Sequence, residues 1–248
     1  MTQHLIRHAG RMHVIHDADR VDPLPDWLFA PEALDRRSLI DTTGHGRRQV
    51  WFFRFAGMSL VLRHYWRGGA IARLSDDAYL WTGLARSRPF REYRLLAELH
   101  ALGLPVPRPL AARVQVSGLT YQGDLITAAV PQAAPFDDIL RGGQVVDDRL
   151  WHRVGCLIGR FHAVGACHAD LNVRNILVDR TGHPWLIDWD RGRLRHPDWR
   201  WQNARLARLR HSLRRQPDLD RAARAGWPAL LAGHEEGLAW QDADCMDA

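Results

Sequence analysis

The hydrophobic pattern of this 248-residue chain changes near residue 130, and the change limits the folds open to it. Before that point, β-branched and aromatic residues form short runs separated by turn residues, which is typical of strands. After it, apolar residues recur at i, i+3, i+4 and i+7, which is typical of amphipathic helices. The pattern therefore predicts the α+β fold class, with a β-rich N-terminal part and a mainly helical C-terminal part.

The same pattern divides the chain into three predicted segments. Residues 1–35 are rich in histidine and interrupted by proline, so we expect an irregular N-terminal lead-in. Residues 36–130 carry the predicted strands, and residues 131–248 carry most of the predicted helices. The strand-rich segment also contains one predicted helix over residues 89–102, whose apolar side chains recur on one face before Gly103.

The strand-rich segment contains four predicted strands that pair as two hairpins. Their bounds are 50–55, 58–65, 110–116 and 119–130. The dipeptides Ala56-Gly57 and Ser117-Gly118 are suited to the two connecting turns. Residues 42–46, with the sequence Thr-Thr-Gly-His-Gly, predict a further turn before the first hairpin.

The helical segment begins with a strong start signal. Asp147 and Asp148 can cap a helix whose apolar face extends over residues 150–161. Two short apolar runs follow, at residues 175–178 and 185–187, and both predict short strands. The remainder of the chain is rich in arginine and has a helical pattern.

The charged residues exclude some classes of reaction. All 34 residues counted as lysine or arginine are arginines, since the sequence contains no lysine. Schiff-base chemistry and nucleotide sites built on a Walker lysine are therefore excluded. The net charge of +6 and the pI near 10.0 favour an anionic partner, which could be nucleic acid, an anionic membrane surface or a phosphorylated small molecule.

The cysteines and the hydropathy pattern suggest a compartment. Cys156, Cys167 and Cys245 are odd in number and lack C-x-x-C spacing, so they predict thiols in a reducing compartment and neither a disulfide framework nor a zinc site. No segment resembles a signal peptide, and no apolar run approaches the roughly 20 residues that a membrane span needs. We expect a cytoplasmic protein that is soluble or attached to a membrane surface.

One cluster of residues carries a specific chemical prediction. Asp170 and Asn175 lie five residues apart in a loop after a predicted helix, and Asp188 follows a short apolar strand. Phosphoryl transfer needs one carboxylate near the attacking hydroxyl, and an amide with a second carboxylate to hold Mg²⁺. Each residue alone could simply close a turn or cap a strand. Their combination within helix, loop, strand, turn and strand favours phosphoryl transfer.

The runs that contain these residues resemble a known enzyme family. His168-Ala-Asp-Leu-Asn-Val-Arg-Asn175 is similar to the H-R-D-L-x-x-x-N catalytic loop of protein-kinase-like enzymes, and Ile187-Asp-Trp-Asp190 occupies the place of D-F-G. Over about residues 35–215 the chain resembles the 3-deoxy-D-manno-octulosonic acid (Kdo) kinases of the lipopolysaccharide core. The other runs that carry this resemblance are VLRHYWRGG (61–69), YLWTG (79–83), FREYRLLAELHALGLPVPRP (90–109) and LIDWDRGRLR (186–195).

The resemblance implies a fold, a reaction and a location. It implies a bilobal protein-kinase-like fold, with a β-rich, nucleotide-binding N-lobe and a mainly helical C-lobe. The implied cofactors are ATP and Mg²⁺, and the implied acceptor is the 4-hydroxyl of Kdo on a Kdo–lipid A precursor, Kdo–lipid IVA. The enzyme would act at the cytoplasmic face of the bacterial inner membrane, as a peripheral protein on an anionic membrane surface. No nucleic-acid partner is implied.

The resemblance also assigns roles to individual residues. Asp170 would be the catalytic base, while Asn175 and Asp188 would be the metal ligands. Glu92, on the predicted helix over 89–102, would orient the cation that binds the nucleotide phosphates. Arg63 occupies the position where related kinases carry lysine, and its planar guanidinium can bridge phosphate oxygens.

Four further residues are expected to contact the nucleotide. Gly44 and Gly46 supply two glycines of a Gly-rich loop, although Gln49 stands where a third would complete G-x-G-x-x-G. A simple hairpin turn would explain the two glycines equally well. Ala128 and Val130 lie at the junction of the two predicted lobes and complete the expected cofactor-binding set.

The Arg-rich segment has two interpretations. Residues 191–215 contain nine arginines, one acidic residue and several interleaved Trp and Leu side chains. The segment could dock to phosphorylated lipid, or it could be a helix that buries its Trp and Leu stripe and solvates its arginines. Both can hold at once, because the arginines stay accessible in either case.

Other functions remain open at this point. A kinase of another acceptor, such as a core heptose or a protein tyrosine or serine, would share the same catalytic residues. A pseudokinase that binds anionic lipid without transferring phosphate would explain the missing lysine and the missing third glycine. Binding of nucleic acid through the Arg-rich segment is a third alternative. The sequence leaves the oligomeric state and the depth of membrane contact undetermined.

Overall fold

The computed structural model of the chain describes residues 2–44, 50–66, 77–142 and 146–240. Its residues divide into two compact units. The first unit comprises Met1–Ala97 and Arg108–Ala129, and the second comprises Glu98–Pro107 and Val130–Ala248. The first unit is built mainly of strands and the second mainly of helices, which confirms the predicted α+β class.

The first unit contains a large antiparallel sheet. Within the described residues it has eight strands, in the order β1-β2-β7-β8-β5-β4-β3, with β6 paired to β8. The strands are β1 His4–Ala9, β2 Met12–Asp17, β3 Ile40–Gly44, β4 Val50–Phe55, β5 Met58–His64, β6 Tyr79–Leu80, β7 Pro109–Ser117 and β8 Thr120–Ala128. The hairpins β4–β5 and β7–β8 confirm the two predicted hairpins, and their turns use Gly57 and Gly118 in the left-handed region.

The helical elements of this part of the chain are short except for one. They are the 3-10 turns Asp26–Phe29 and Leu84–Arg86, and the helices α1 Pro31–Asp35 and α2 Arg88–Ala101. Helix α2 confirms the helix predicted over residues 89–102. Its buried face carries Phe90, Tyr93, Leu96 and Leu99, which share one side of a helix at 3.6 residues per turn.

Two details of the first unit differ from expectation. Residues 4–17 form strands β1 and β2, so the expectation of an irregular lead-in is wrong there. The pairing of β2 with β7 buries Val14 and Ile15, whereas β1 is a mostly exposed edge strand. Histidines in both strands interrupt the apolar pattern that would have predicted them. The predicted turn over residues 42–46 is also wrong in its first half, because residues up to Gly44 pair with β4. His45 and Gly46 lie outside the described residues.

The second unit is built around four helices and five short strands among the residues that the structure describes. The helices are α3 Phe136–Arg141, α4 Asp148–Ala163, α5 Trp199–Arg214 and α6 Pro217–Leu238. The strands are β9 Ala134–Pro135, β10 Ala166–Cys167, β11 Ile176–Val178, β12 Pro184–Leu186 and β13 Arg193–Leu194. They form two small sheets, β12-β11-β9 and β10-β13. Asp147 caps α4 as predicted, accepting a hydrogen bond from the Leu150 amide at 2.9 Å.

Helices α4 and α6 approach each other through glycine. A Cβ atom on Gly155 of α4 would lie 2.0 Å from the Leu230 carbonyl oxygen, and one on Gly233 of α6 would lie 2.0 Å from the His152 carbonyl oxygen. Real Cβ atoms do not come this close to backbone oxygen, so the two helices can pack at this distance only because both positions lack a side chain.

Candidate active site

The loop between β10 and β11 carries Asp170 and Asn175 of the predicted site, and His168 anchors its start. The His168 side chain is buried, and its Nε2–H donates to the carbonyl oxygen of Ile187 at 3.0 Å. Burial lowers the pKa of His168, so the ring stays neutral. Its ring packs edge-on against Trp189 at a centroid distance of 4.8 Å. His168 thus fastens the loop to the segment that carries Asp188.

Hydrogen bonds within the loop bring Asp170 and Asn175 together. The Asn175 amide nitrogen donates to the Asp170 carbonyl oxygen at 2.9 Å, and the Asn172 amide nitrogen donates to the same oxygen at 3.0 Å. The backbone amide of Ile187 donates to the Asn175 carbonyl oxygen at 2.9 Å. A continuous set of hydrogen bonds therefore connects the Asp170 loop with the residue next to Asp188.

Asp188 has an unusual backbone conformation. It follows β12 with φ of 61°, in the left-handed region that aspartate tolerates better than most residues. Its side chain is exposed, whereas the adjacent Trp189 is completely buried and donates from its indole nitrogen to the Leu186 carbonyl oxygen at 3.0 Å. The buried tryptophan fixes the segment that carries the exposed Asp188. Left-handed conformations such as that of Asp188 concentrate at functional sites.

The donor set of this loop suits a hard divalent cation. The Asn175 amide nitrogen donates a hydrogen bond to the Asp170 carbonyl oxygen, so the amide oxygen is the atom that can coordinate an ion. The Asp188 carboxylate supplies a second oxygen. Oxygen donors of these two kinds are those that Mg²⁺ prefers. The residues present therefore fit the predicted metal site.

One face of helix α5 lies along the catalytic loop, which the sequence did not predict. Arg205 donates to the Ala169 carbonyl oxygen at 2.8 Å, and Arg208 donates from Nε to Asp170 Oδ1 at 2.8 Å and from a second nitrogen to the same oxygen. The Ser212 hydroxyl accepts from the Val173 amide at 3.1 Å. The spacing of 205, 208 and 212 follows one helical face, and this is the only sequence signal that could have indicated the contact.

The rest of α5 bears on the two interpretations of the Arg-rich segment, which are a surface that docks to lipid and a helix with a buried Trp and Leu stripe. Its apolar stripe is buried, as a packed helix requires. The stripe comprises Trp201, Leu206, Leu209 and Leu213. Trp199 is an exception, because 66% of it is exposed next to several arginines. The core-helix interpretation is therefore confirmed for the stripe, and a basic surface remains beside it.

In the first unit, Arg63 and Glu92 meet as the sequence analysis expects. Arg63 of β5 forms an ion pair with Glu92 of α2, and the Tyr65 hydroxyl donates to the same carboxylate oxygen at 2.5 Å. Arg63 also donates to the Tyr65 hydroxyl at 3.2 Å, and its guanidinium lies over the Tyr65 ring at 4.9 Å. Glu92 is buried, so two donors are needed to compensate the loss of water. Tyr65 is a member of this group that the sequence analysis did not identify.

Of the two glycines predicted to bind the nucleotide, the structure describes Gly44. Gly44 ends β3 opposite Val50, and Val50 lies opposite Arg63 on the next strand. Gly44 and Arg63 therefore lie in one row of the sheet, separated by two strand spacings of about 4.8 Å each. Gly46 lies outside the described residues.

Ala128 and Val130 complete the predicted cofactor-binding set. Ala128 ends β8, and its backbone amide already donates to the Arg108 carbonyl oxygen at 2.8 Å. Val130 is the first residue of the longer segment of the second unit. Arg63, Glu92, Gly44 and Ala128 thus belong to the first unit, whereas Asp170, Asn175, Asp188 and Val130 belong to the second.

Comparison with known proteins assigns the family. The family model described as "Lipopolysaccharide kinase (Kdo/WaaP) family" matches residues 35–234. A 3-deoxy-D-manno-octulosonic acid kinase of Xanthomonas campestris pv. campestris (strain B100) is 44% identical over 202 residues, which cover 81% of this chain and 79% of the relative. A kinase of the same name from Xylella fastidiosa (strain 9a5c) is 40% identical over 200 residues, with the same coverage of both chains.

A solved structure shows a more distant likeness. The structure described as "WaaP in complex with acyl carrier protein" covers 89% of this chain and 95% of its own, at 17% identity and a TM-score of 0.49. That likeness is too distant to add to the assignment, which rests on the family model and the close relatives. On these two grounds, the chain belongs to the lipopolysaccharide kinase (Kdo/WaaP) family.

Proposed function

We propose that this protein transfers the γ-phosphoryl group of ATP to the 4-hydroxyl of Kdo on a Kdo–lipid A precursor, Kdo–lipid IVA. The observation that carries the proposal is the hydrogen bond between Asp170 and Asn175, together with the bond from the Ile187 amide that places Asp188 one residue away. The close relatives of this chain are named 3-deoxy-D-manno-octulosonic acid kinases. The group of Asp170, Asn175 and Asp188 is what phosphoryl transfer to a hydroxyl requires. A Kdo kinase is a phosphotransferase with an alcohol acceptor.

Asp170 is the residue best suited to act on the acceptor. Its carboxylate is about half exposed, and its backbone is fixed by Asn172 and Asn175. In the reaction it would orient the attacking hydroxyl and take its proton as the phosphoryl group transfers in line. The fixed backbone and the half-exposed carboxylate support this role.

Asn175 and Asp188 would hold Mg²⁺, which offsets negative charge on the phosphates when bound. Arg63, kept in place by Glu92 and Tyr65, would supply a second positive charge for those phosphates. Gly44, Gly46, Ala128 and Val130 would contact the nucleotide. For Gly44, support comes from its position in the same sheet row as Arg63.

A peripheral location at the cytoplasmic face of the inner membrane suits a lipid-linked acceptor. No helix in the described ranges combines the length and hydropathy that a membrane span requires. The exposed Trp199 and the arginines of α5 would favour an anionic membrane surface, with the cations near the headgroups and the indole at the interface. The overall charge of +6 acts in the same direction.

The test is a mass-spectrometric assay of acceptors after incubation with ATP and Mg²⁺. The panel contains a Kdo–lipid acceptor, a heptose-containing core lipid and a tyrosine- and serine-containing peptide. We expect one added phosphate on the Kdo sugar and none on the other two. Phosphate on the heptose or the peptide would reassign the acceptor, and no phosphate on any of them would support a pseudokinase.

A further inference from the structure

Arg208 of α5 forms an ion pair with the carboxylate of Asp170, the proposed catalytic base. Its Nε donates to Asp170 Oδ1 at 2.8 Å, and its Nη2 donates to the same oxygen. Half of the Arg208 side chain and 49% of the Asp170 side chain are exposed. The pair therefore lies at the surface of the second unit, where an incoming molecule can reach both groups.

The position of Arg208 is set by the helix and not by its contact with Asp170 alone. Arg205, one turn earlier, donates to the Ala169 carbonyl oxygen, and Ser212, one turn later, accepts from the Val173 amide. These two contacts fasten the helix to the loop on either side of Arg208. The backbone of Arg208 consequently stays beside the Asp170 loop even when the pair with Asp170 is broken.

The ion pair between Arg208 and Asp170 contributes little to the stability of the folded protein. An exposed pair contributes only about 0–1 kcal/mol, so breaking it costs little. Residues 199–216 contain six arginines and no acidic residue, so the sequence of α5 offers Arg208 no carboxylate within its own helix. Asp170, the proposed base, is therefore paired with an arginine that can release it with little loss of stability.

We propose that Arg208 is the binding site for the carboxylate of the acceptor sugar. This inference rests on the proposed function, because the acceptor of an octulosonic acid kinase is a sugar acid. A guanidinium presents a planar pair of donors that matches a carboxylate. The acceptor carboxylate takes the guanidinium from Asp170, which frees the base and places the sugar beside it.

The arrangement makes the acid group of the acceptor a determinant of specificity. Pairing of the acceptor carboxylate with Arg208 reduces the repulsion that Asp170 would otherwise exert on an anionic acceptor. A neutral sugar has no carboxylate to pair with Arg208. Asp170 therefore stays paired with Arg208, and the sugar is not bound at this site. The enzyme would thereby discriminate a sugar acid from the neutral sugars of the same lipid.

The test compares two acceptors and two arginine variants. The acceptors are the Kdo–lipid and the same lipid with its Kdo carboxyl group reduced to an alcohol. Arg208→Ala is compared with Arg224→Ala, since Arg224 also donates from Nε and Nη2 to one carboxylate oxygen, that of Asp220 within α6. The measured quantities are KM for each acceptor, KM for ATP and kcat.

We expect Arg208→Ala to raise KM for the acid acceptor at least about tenfold, which corresponds to about 1.4 kcal/mol, without changing KM for ATP. On the reduced acceptor, the wild type and Arg208→Ala should have the same KM. Arg224→Ala should match the wild type on both acceptors. An equal loss on both acceptors, or no loss on the acid acceptor, would overturn the proposal.

A binding measurement separates this inference from the proposed function. Titration calorimetry with the two acceptors, in the absence of ATP, reports on Arg208 even if the wild type transfers no phosphate. Preference of the wild type for the acid acceptor, lost in Arg208→Ala, supports the carboxylate site whatever the catalytic result. Absence of that preference in the wild type overturns it, whereas failure of transfer alone counts against the proposed function.

Discussion

The guanidinium of Arg63 and the carboxylate of Glu92 form an ion pair in which only 2% of the Glu92 side chain is exposed. The hydroxyl of Tyr65 donates to the same carboxylate and accepts from the guanidinium, so the three groups hold one another. In a chain without lysine, this arrangement gives an arginine a fixed place on β5.

Arg63→Lys tests whether the shape of the guanidinium matters or only its charge. The ammonium group can pair with Glu92, but it has no planar fork to bridge two phosphate oxygens. We expect kcat/KM for ATP to fall about tenfold or more in a steady-state assay, a loss of about 1.4 kcal/mol. Wild-type kinetics in the lysine variant would show that a positive charge suffices.

Arg63→Ala should also affect stability, because it leaves Glu92 buried with fewer donors. Breaking a fully buried pair costs about 3–5 kcal/mol, and here we expect about 2 kcal/mol, since Arg63 is partly exposed and Tyr65 still donates to Glu92. Urea unfolding of the variant and the wild type measures the difference. The double variant Arg63→Ala, Glu92→Gln should recover part of the loss.

Asp188→Asn tests the proposed metal site. Replacing the carboxylate by a neutral amide weakens an oxygen ligand without changing its size. We expect the Mg²⁺ concentration for half-maximal activity to rise by about tenfold or more, with a lower kcat at saturation. The control is Asp138→Asn, at an exposed acid of α3 that pairs with Arg141. An unchanged Mg²⁺ dependence in Asp188→Asn would remove that residue from the site.

Gly233→Ala tests the close packing of α4 and α6. In an unobstructed helix this substitution stabilises by about 1 kcal/mol. Here the new Cβ would lie 2.0 Å from the His152 carbonyl oxygen, so the helices must separate, and we expect a destabilisation of about 2 kcal/mol. Thermal unfolding measures the sign. Ala232→Ser, at an exposed neighbouring position, should change the midpoint little.

The buried pair of His162 and His234 predicts a loss of stability in acid. Burial, with the neighbouring charge of His234, lowers the pKa of His162 to about 3, and burial also lowers the pKa of His234. The folded protein thus stays neutral at His162 while the unfolded chain takes up a proton below pH 6.5. The stability from this residue is fully present above pH 6.5 and is lost as the pH falls towards 3.

Urea unfolding between pH 7.5 and 5.0 measures this dependence. One such group contributes a slope of at most about 1.4 kcal/mol per pH unit. His162→Gln has no titrating ring at this position, so we expect a shallower slope in the variant. Equal slopes in the variant and the wild type would show that other groups cause the acid sensitivity.

Much of the fold could be read from the sequence because its signals are local. The β4–β5 and β7–β8 hairpins combine apolar strands with glycine-containing turns, and α4 begins at an aspartate cap. Strands β1 and β2 were not predicted, because their histidines interrupt the apolar residues of both strands. Strand β2 also pairs with β7, which is more than 90 residues away, whereas β1 pairs with β2. Pairing with a distant strand leaves little trace in such a mixed sequence.

In the candidate site, too, local features could be predicted from the sequence and contacts between distant residues could not. Asp170, Asn175 and Asp188 could be predicted because they lie close together in the sequence around recognisable turns and strands. The contact between Arg208 and Asp170 spans 38 residues and depends on how α5 packs against the loop. Nothing in the Arg-rich segment distinguishes Arg208 from its neighbours except its place on the helical face shared with Ser212.

The most direct measurement is transfer of labelled phosphate from ATP to the Kdo–lipid acceptor by the wild type and by Asp170→Asn. The variant keeps the size of the side chain and the backbone contacts with Asn175 but cannot accept the hydroxyl proton. We expect transfer by the wild type and a loss of about 10³-fold or more in the variant, with unchanged urea unfolding. Near-wild-type turnover by Asp170→Asn would contradict the account.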